Sequence, residues 1–226
     1  ITASAGTSNV RIGVNAGNSI ASGGNYNVVV GDEAGTALTT GDENVAVGYN
    51  ALATEDTGVG NVAVGRNALT ALNFDGNGYN TAVGYIAGAS VTTGIQNTFI
   101  GGLAGTNITT ANQNVAVGYG TLDADTLGAR NVAVGTNSLT SQNFTSATDA
   151  YNVGVGYFAG AGITTGVQNT LIGGLAGDAI TTADNNTAVG YASLTANTTG
   201  TGNTALGTSS LQTTITGGYN TAVGML

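Results

Sequence analysis

Apolar and polar positions alternate in a five-residue motif, Asn-(Val/Thr)-x-(Val/Ile/Leu)-Gly, that recurs along the whole chain. In the segment Val45-Ala46-Val47, for example, the two outer residues are branched and the middle one is small. Because successive side chains of a strand point to opposite faces, each motif predicts a short β-strand. The motif occurs thirteen times, beginning at Asn9, Asn27, Asn44, Asn61, Asn80, Asn97, Asn114, Asn131, Asn152, Asn169, Asn186, Asn203 and Asn220.

The spacing of these motifs predicts a parallel β-solenoid. Nine of the twelve intervals are 17 residues long, and the others are 18, 19 and 21. A fixed period without helical patterning is typical of repeat proteins in which each repeat forms one coil stacked on the last. We therefore predict an all-β chain of about thirteen coils in a single repeat domain, residues 1-226. Internal similarity groups the coils into super-repeats at approximately 9-79, 80-151 and 152-219.

The Asn and Gly that bound each motif are predicted to form corners of the coil. Asn tolerates turn geometry and can bond to a stacked Asn in the next coil, while Gly adopts positive φ without a steric penalty. After the Gly we expect a second short strand and then a Thr-rich turn. Representative corner pairs are Asn44 and Gly48, Asn114 and Gly118, and Asn186 and Gly190.

The two faces of the motif strand differ in side-chain size. The third position is always Val, Ile or Leu, and we expect the first and third positions to fill the coil interior. The middle position is Ala in eight coils, so the opposite face is small and apolar. Such a surface suits close packing against another chain, which would supplement the thin interior of a single coil. The predicted face for association with further copies contains Ala46, Ala63, Ala116, Ala133 and Ala188.

Composition excludes most catalytic chemistry. The 226 residues include 39 Gly, 37 Thr and 26 Asn but no His, Cys, Pro, Trp or Lys. The chain therefore cannot supply a Ser-His-Asp or Cys-His triad, a thiolate or imidazole metal site, a Schiff-base lysine or a disulfide. We predict that the protein is not an enzyme and needs no cofactor or metal.

Charge and hydropathy narrow the possible partners. The chain has three Arg and twelve Asp or Glu residues, so its net charge is -9. This charge disfavours binding to nucleic acids and anionic membranes. No segment approaches the roughly 18 apolar residues of a membrane span, and membrane insertion is not expected. The first residues lack an initiator Met, so we expect a processed product or a piece of a longer fibre.

The segment Val45-Ala46-Val47-Gly48 and its equivalents resemble the head repeat of YadA-like trimeric autotransporter adhesins, whose coils carry an Asn-Ser-Val-Ala-Ile-Gly type of motif. The resemblance covers essentially all coils, although Asn44 lies one place nearer the Gly than the family's Asn. Repeats of the Asn-Thr-Ala-Val-Gly-Tyr type are also similar to those of phage tail fibres and other extracellular bacterial fibres. The resemblance implies a left-handed β-roll, a homotrimer, an extracellular location on a cell surface or virion, and a role as adhesin head or fibre shaft.

Two coils are longer than the others and are predicted to carry projecting loops. Their extra residues fall at 71-79 and 141-151, and each loop contains an Asn-Phe pair. Binding residues commonly lie on loops that a rigid scaffold displays. Phe74, Asp75, Phe144 and Thr145 are therefore candidate contacts to a host receptor, glycan or matrix protein.

Acidic residues supply two weaker hypotheses. The pairs Asp32-Glu33, Asp42-Glu43 and Glu55-Asp56 could bind Ca²⁺ or serve as glycosidase carboxylates. Adjacent residues of a strand point to opposite faces, however, and a solvated acidic rim is the expected state. Asp123 and Asp125 are two residues apart and could share one face of a strand, so they are a further candidate calcium site.

Tyrosines follow the motif Gly in alternate coils, among them Tyr85, Tyr119, Tyr157 and Tyr191. A ring at this place would cover the Gly of a neighbouring coil, which is the favoured interpretation. A row of sugar-stacking platforms is the alternative.

These observations predict a non-catalytic structural or adhesive fibre module that associates with itself. The first alternative is a self-polymerising filament subunit, because the open strand edges of a solenoid can pair end to end. A polysaccharide-cleaving spike is a distant alternative.

Overall fold

The computed structural model describes residues 6-225, which form a parallel β-solenoid with no helix in that range. It has about 13 turns of about 17 residues, which confirms the predicted fold class. The chain divides into two compact units, and the boundary between them falls between Gln113 and Asn114.

The first unit contains six three-residue strands, and each of the first five pairs in parallel with the strand one coil further along. The pairing keeps the motif in register, so that Val28 lies opposite Val45 and Val30 opposite Val47. The strands are β1 (Val10–Ile12), β2 (Val28–Val30), β3 (Val45–Val47), β4 (Val62–Val64), β5 (Thr81–Val83) and β6 (Thr98–Ile100).

The second unit repeats this arrangement with seven motif strands, to which a small two-stranded sheet is added. The motif strands are β7 (Val115–Val117), β9 (Val132–Val134), β11 (Val153–Val155), β12 (Thr170–Ile172), β13 (Thr187–Val189), β14 (Thr204–Leu206) and β15 (Thr221–Val223). The small sheet pairs β8 (Gly128–Ala129) with β10 (Thr148–Asp149), and β10 lies in the longest coil.

The middle residue of each motif strand faces the coil interior, and the outer two face outwards. Middle residues such as Ala46 and Ala116 are fully buried, whereas Val45 and Val47 are half-exposed. The faces predicted from the sequence are therefore wrong, because side-chain size was assumed to mark the interior. The corrected residues are Ala46, Ala63, Ala116, Ala133 and Ala188, which all line the interior and cannot form a trimer face.

Leucines on the opposite wall explain why most coils have room only for Ala at the middle position. In five of the coils whose middle residue is Ala, the fourth residue after the motif Gly is a fully buried Leu, such as Leu52. In the coil of Ala82 this residue is Gly88, which borders the Phe99 ring of the next coil. Where the middle residue is larger, as at Phe99, the fourth residue is Gly105. A Cβ on Gly105 would lie 2.4 Å from the Phe99 ring. Large and small side chains thus alternate between the two walls and keep the interior close-packed.

The second strand expected after the motif Gly is absent from the described residues. This segment forms consecutive turns, in which Leu52 and Leu69 have φ values of 51° and 47°. Left-handed backbone interrupts strand geometry, and it is uncommon for bulky residues. Hydrogen bonds to the next coil offset the strain, since the Leu52 N–H donates to the Ala68 carbonyl at 3.0 Å.

A buried ladder of Asn side chains forms one corner of the solenoid. The Oδ1 atom of Asn44 accepts hydrogen bonds from the backbone N–H and the Nδ2 atom of Asn61, at 2.9 and 3.3 Å. The Nδ2 atom of Asn44 donates to the Gly58 carbonyl at 2.7 Å. The same contacts recur in other coils, for example between Asn169 and Asn186. The ladder satisfies side-chain and backbone groups that water does not reach.

The motif glycines form the other corner and cannot carry a side chain. Gly48 has a φ of 129°, and a Cβ on it would lie 2.7 Å from the Gly65 carbonyl oxygen of the next coil. Both the backbone conformation and the close approach of successive coils therefore require Gly.

Candidate functional site

The first and third residues of the motif strands form a surface on the outside of each unit, which we call the outer sheet face. Its third-position residues are all aliphatic, and its first-position residues are Val or Thr. In the first unit, Val45 and Val47 are half-exposed, and the third-position residues Val83 and Ile100 are 37% and 40% exposed. Since the strands are parallel and in register, equivalent residues form columns along the sheet.

The outer sheet face of the second unit has the same character. Its third-position residues are all aliphatic, and Ile172 and Leu206 are 39% and 45% exposed. Its first-position residues change from Val to Thr from Thr170 onwards. None of the thirteen motifs places a charged residue at either position. A mostly apolar surface without charged residues is typical of an association site.

Residues that follow the motif Gly form a second surface column. In the first unit, Tyr49, Arg66 and Tyr85 occupy this place in successive coils. The Cζ atom of Arg66 lies 5.8 Å from the ring centroid of Tyr49 and 5.6 Å from that of Tyr85. Its Nη1 atom also donates to the Tyr85 hydroxyl at 3.2 Å. Cation–π attraction to both rings stabilises the stack, so these side chains have a packing role.

The tyrosine column of the second unit is exposed, and at least one of its rings covers a Gly. A Cβ on Gly174 would lie 3.5 Å from the Tyr191 ring. Tyr79, which lies at another corner, covers Gly60 in the same way. These contacts favour the interpretation that the rings shield Gly backbone. Stacking of Tyr119, Tyr157 and Tyr191 on sugars stays a hypothesis.

Loop 1, residues 73-79, is held against the preceding coil. The Val59 N–H donates to the Gly76 carbonyl at 2.9 Å, and the Gly78 N–H donates to the Val59 carbonyl at 3.1 Å. The Thr57 hydroxyl donates to Oδ1 of Asp75 at 2.5 Å. Phe74 is half-buried, and Asp75 is exposed. The loop thus presents polar groups from a fixed backbone.

Loop 2, residues 143-151, is held by the pairing of β8 with β10. The Thr126 hydroxyl donates to the Phe144 carbonyl at 3.1 Å, and Arg130 forms a salt bridge with Asp149. Thr145 is exposed, but Phe144 is only 5% exposed and packs over Gly128. The prediction that Phe144 contacts a receptor is therefore wrong, because this ring fills the base of its loop.

A buried carboxylate lies beneath loop 1. The Oε1 atom of Glu55 accepts the N–H groups of Gly58 and Asp56 at 2.7 and 3.1 Å. Its Oε2 atom accepts the Phe74 N–H at 3.2 Å. Burial raises the pKa of Glu55, and the three backbone hydrogen bonds oppose that rise. The expectation of a solvated acidic rim is wrong for Glu55, which anchors the loop from inside.

Loop 2 has an equivalent anchor in Asp125. Its Oδ1 atom accepts the N–H groups of Gly128 and Phe144 at 3.0 and 3.4 Å, and its Oδ2 atom accepts Nε2 of Gln142 at 2.6 Å. Gln142 in turn accepts a hydrogen bond from Asn152 at 2.8 Å. Burial raises the pKa of Asp125, and the hydrogen bond from Gln142 opposes that rise.

Asp123 and Asp125 differ in environment, since Asp123 is half-exposed and Asp125 is buried. The acidic pairs elsewhere bond to nearby groups of the chain, as Glu33 does to Asn15 and Thr36. Within residues 6-225, no group of three or more Asp, Glu, His or Cys side chains is placed to hold a metal ion. The same range contains no helix long and apolar enough to cross a membrane.

The loop anchors were missed by sequence reasoning, although a signal for them exists. The seventh residue after the motif Gly is a buried aliphatic in several coils, for example Leu38 and Ile108. Glu55, Asp125 and Asn197 occupy this place as buried polar residues, and each accepts the N–H of a Gly three residues later. A polar residue at an otherwise aliphatic position, followed by that Gly, therefore marks a buried turn cap.

No known protein family, curated protein or solved structure matches this chain. The candidate functional surfaces are thus the outer sheet face and the exposed parts of loops 1 and 2.

Proposed function

We propose that this chain is a non-catalytic structural and adhesive module of an extracellular fibre. It associates with two further copies of itself through the outer sheet face and displays loops 1 and 2 to a host receptor, glycan or matrix protein. The observation that carries the proposal is the outer sheet face, which is aliphatic at every third position of the motif and open to solvent in the single chain.

Successive coils contribute additively to the free energy of association. Burial of apolar surface contributes roughly 25 cal/mol per Å², and each coil presents two further side chains to a partner. Because each coil repeats the same contact, the coils contribute nearly independently. No charged side chain has to lose its hydration on this face. The choice of three chains, a left-handed coil and a cell-surface or virion location rests on the resemblance of Val45-Ala46-Val47-Gly48 to the YadA-like head repeat.

The loops support the adhesive part of the proposal. Asp75 and Thr145 are exposed, and both loops are tied to the preceding coil by backbone hydrogen bonds. A fixed backbone reduces the conformational entropy that is lost when a partner binds. The exposed groups are hydroxyl, amide and carboxylate groups, which suit a polar partner.

Replacing an apolar residue of the outer sheet face with a charged one tests the association. Val83→Glu and Ile172→Glu place a carboxylate on this face at positions that are more than a third exposed, so the coil should still fold. The matched controls Thr93→Glu and Thr165→Glu add the same charge at exposed turn positions. In sedimentation velocity, we expect trimers for the wild type and controls, and folded monomers for the two face variants.

A wild-type chain that remains monomeric at tens of micromolar, or face variants that remain trimers, would contradict the proposed association. Long polymers that persist in the face variants would instead support the filament alternative.

The adhesive role is tested separately by shortening loops 1 and 2 so that both coils have 17 residues. A glycan array and immobilised extracellular-matrix proteins serve as probes, with the wild type as reference. Loss of binding without loss of trimers is expected. Binding that is unchanged would remove the loops from the proposal, and new reducing ends on a glycan would favour the polysaccharide-cleaving alternative.

A further inference from the structure

We propose that Asn77 in loop 1 is a site of spontaneous deamidation. Its rate is set by opening of the backbone bridge, the two hydrogen bonds that join Val59 to Gly76 and Gly78 on either side of Asn77. The chain contains one Asn-Gly step, Asn77-Gly78, and one Asp-Gly step, Asp75-Gly76, and both lie in loop 1. A Gly after Asn promotes this reaction because no side chain hinders the approach of its backbone nitrogen to the carboxamide carbon.

The reaction needs only the chain and water. The backbone nitrogen of Gly78 forms a bond to Cγ of Asn77 and loses its proton, and the side-chain nitrogen leaves as ammonia. The product is a five-membered succinimide. Water then opens the ring at either carbonyl, which gives Asp or isoaspartate. The net change is the gain of one water and the loss of one ammonia, with no oxidant or reductant.

The fold requires the Gly that makes Asn77 reactive. A Cβ on Gly78 would lie 2.4 Å from Oδ1 of Asn61, which belongs to the buried Asn ladder. Gly76 has a φ of 139°, which favours Gly there as well. The side chain of Asn77, by contrast, is exposed and forms no hydrogen bond within the described residues. The ladder therefore fixes Gly78, while nothing in the described structure requires the Asn77 amide.

The native bridge opposes the reaction. The Gly78 N–H donates to the Val59 carbonyl, and the Val59 N–H donates to the Gly76 carbonyl, so both sides of Asn77 are held. Attack requires that the Gly78 nitrogen leave this bond and turn towards Cγ of Asn77. Reaction then proceeds from the locally opened loop, and its rate follows the population of that state. The hydrogen bond from Thr57 to Asp75 helps to keep the loop closed.

Neighbouring sites are expected to react more slowly. A carboxylate is a poorer electrophile than an amide, so isomerisation at Asp75-Gly76 is slower. In loop 2, Asn143 precedes Phe144, whose side chain hinders the attack. Deamidation adds a negative charge to loop 1, which is otherwise held in one conformation. Formation of isoaspartate also lengthens the backbone by one atom. This chemistry does not depend on the proposed binding role of the loop.

Peptide mass spectrometry with separation of aspartate and isoaspartate tests the proposal on the intact protein. The sample is incubated at mildly alkaline pH in native buffer and, in parallel, in denaturant. We expect conversion at Asn77 but not at Asn143, and at least about tenfold faster conversion in denaturant, where the bridge is absent. Thr57→Val should accelerate the native reaction by about fivefold, because it removes one bond that closes loop 1. Thr126→Val makes the equivalent change under loop 2 and serves as the matched control.

A second measurement uses only the wild type and therefore does not depend on whether a variant folds. Hydrogen exchange of the Gly78 amide in the wild type reports opening of the bridge directly, and the deamidation rate should change in parallel with it as temperature rises. The proposal is overturned by equal rates in native buffer and denaturant, by conversion confined to Asp75, or by an Asn77 that stays intact in denaturant.

Discussion

The ring of Phe99 lies directly against Gly105, so closely that a Cβ on Gly105 would come within 2.4 Å of its Cε1 atom. Gly88, one coil earlier, borders the other side of the ring. Phe99 occupies a position that is Ala in most coils, and it fits because the opposite wall supplies Gly where other coils have Leu. This pair shows that the two walls of the coil are matched in volume.

Gly105→Ala should therefore destabilise the fold by about 2–4 kcal/mol, through overpacking against Phe99 and through a φ of 59° that Ala adopts less readily. Denaturant unfolding measures the loss. In a Phe99→Ala background the steric part should disappear, leaving about 1 kcal/mol. An equal loss in both backgrounds would show that the ring does not limit the space at Gly105.

A charged substitution should affect folding on one face of a strand and association on the other. Ala116→Glu places a carboxylate in the buried interior without a partner, and we expect it to prevent folding. Val117→Glu places the same group on the outer sheet face, where we expect a folded chain that does not associate. Circular dichroism and sedimentation separate the two outcomes. A folded Ala116→Glu trimer would mean that the middle residues do not line the interior.

The Asn ladder should contribute strongly to stability. Asn61→Ala leaves the buried N–H of Asn80 without its acceptor, and we expect a loss of about 2–4 kcal/mol in the free energy of unfolding. Asn77→Ala is the control at an exposed position, with an expected change within about 0.5 kcal/mol. Similar losses for the two variants would contradict a special role for the buried ladder.

The buried loop anchors predict a dependence of stability on pH. Burial holds the pKa of Glu55 above its ordinary value, so in the window between the two values the folded chain keeps a proton that the unfolded chain has lost. The stabilisation is present below the ordinary pKa and is lost as pH rises through the raised one. Asp125 should behave in the same way for the same reason.

Glu55→Gln cannot ionise, and the same holds for Asp125→Asn. Each variant should therefore gain stability relative to the wild type as the pH is raised from about 4 to about 8. Chemical denaturation at a series of pH values provides the comparison. Curves for variant and wild type that stay parallel would show that neither carboxylate is coupled to folding.

Sequence reasoning succeeded for the features that depend on local rules and on the period. The interval of 17 residues predicts coils in register, and Val28 does lie opposite Val45. It failed for the segment after the motif Gly, where a strand was expected. Leu52 adopts a positive φ there, because hydrogen bonds to the next coil and burial against the opposite wall outweigh its local preference.

The sequence by itself determined the repeat, the strand positions and the chemistry that the chain lacks, because these follow from spacing and residue type. Only the tertiary structure decided which face of each strand points inwards. The alternation of Val45, Ala46 and Val47 is compatible with either choice, and Leu52 on the facing wall occupies the space that a larger middle residue would need. The burial of Glu55 and Phe144 was settled in the same way, since it depends on contacts between coils that no single repeat contains.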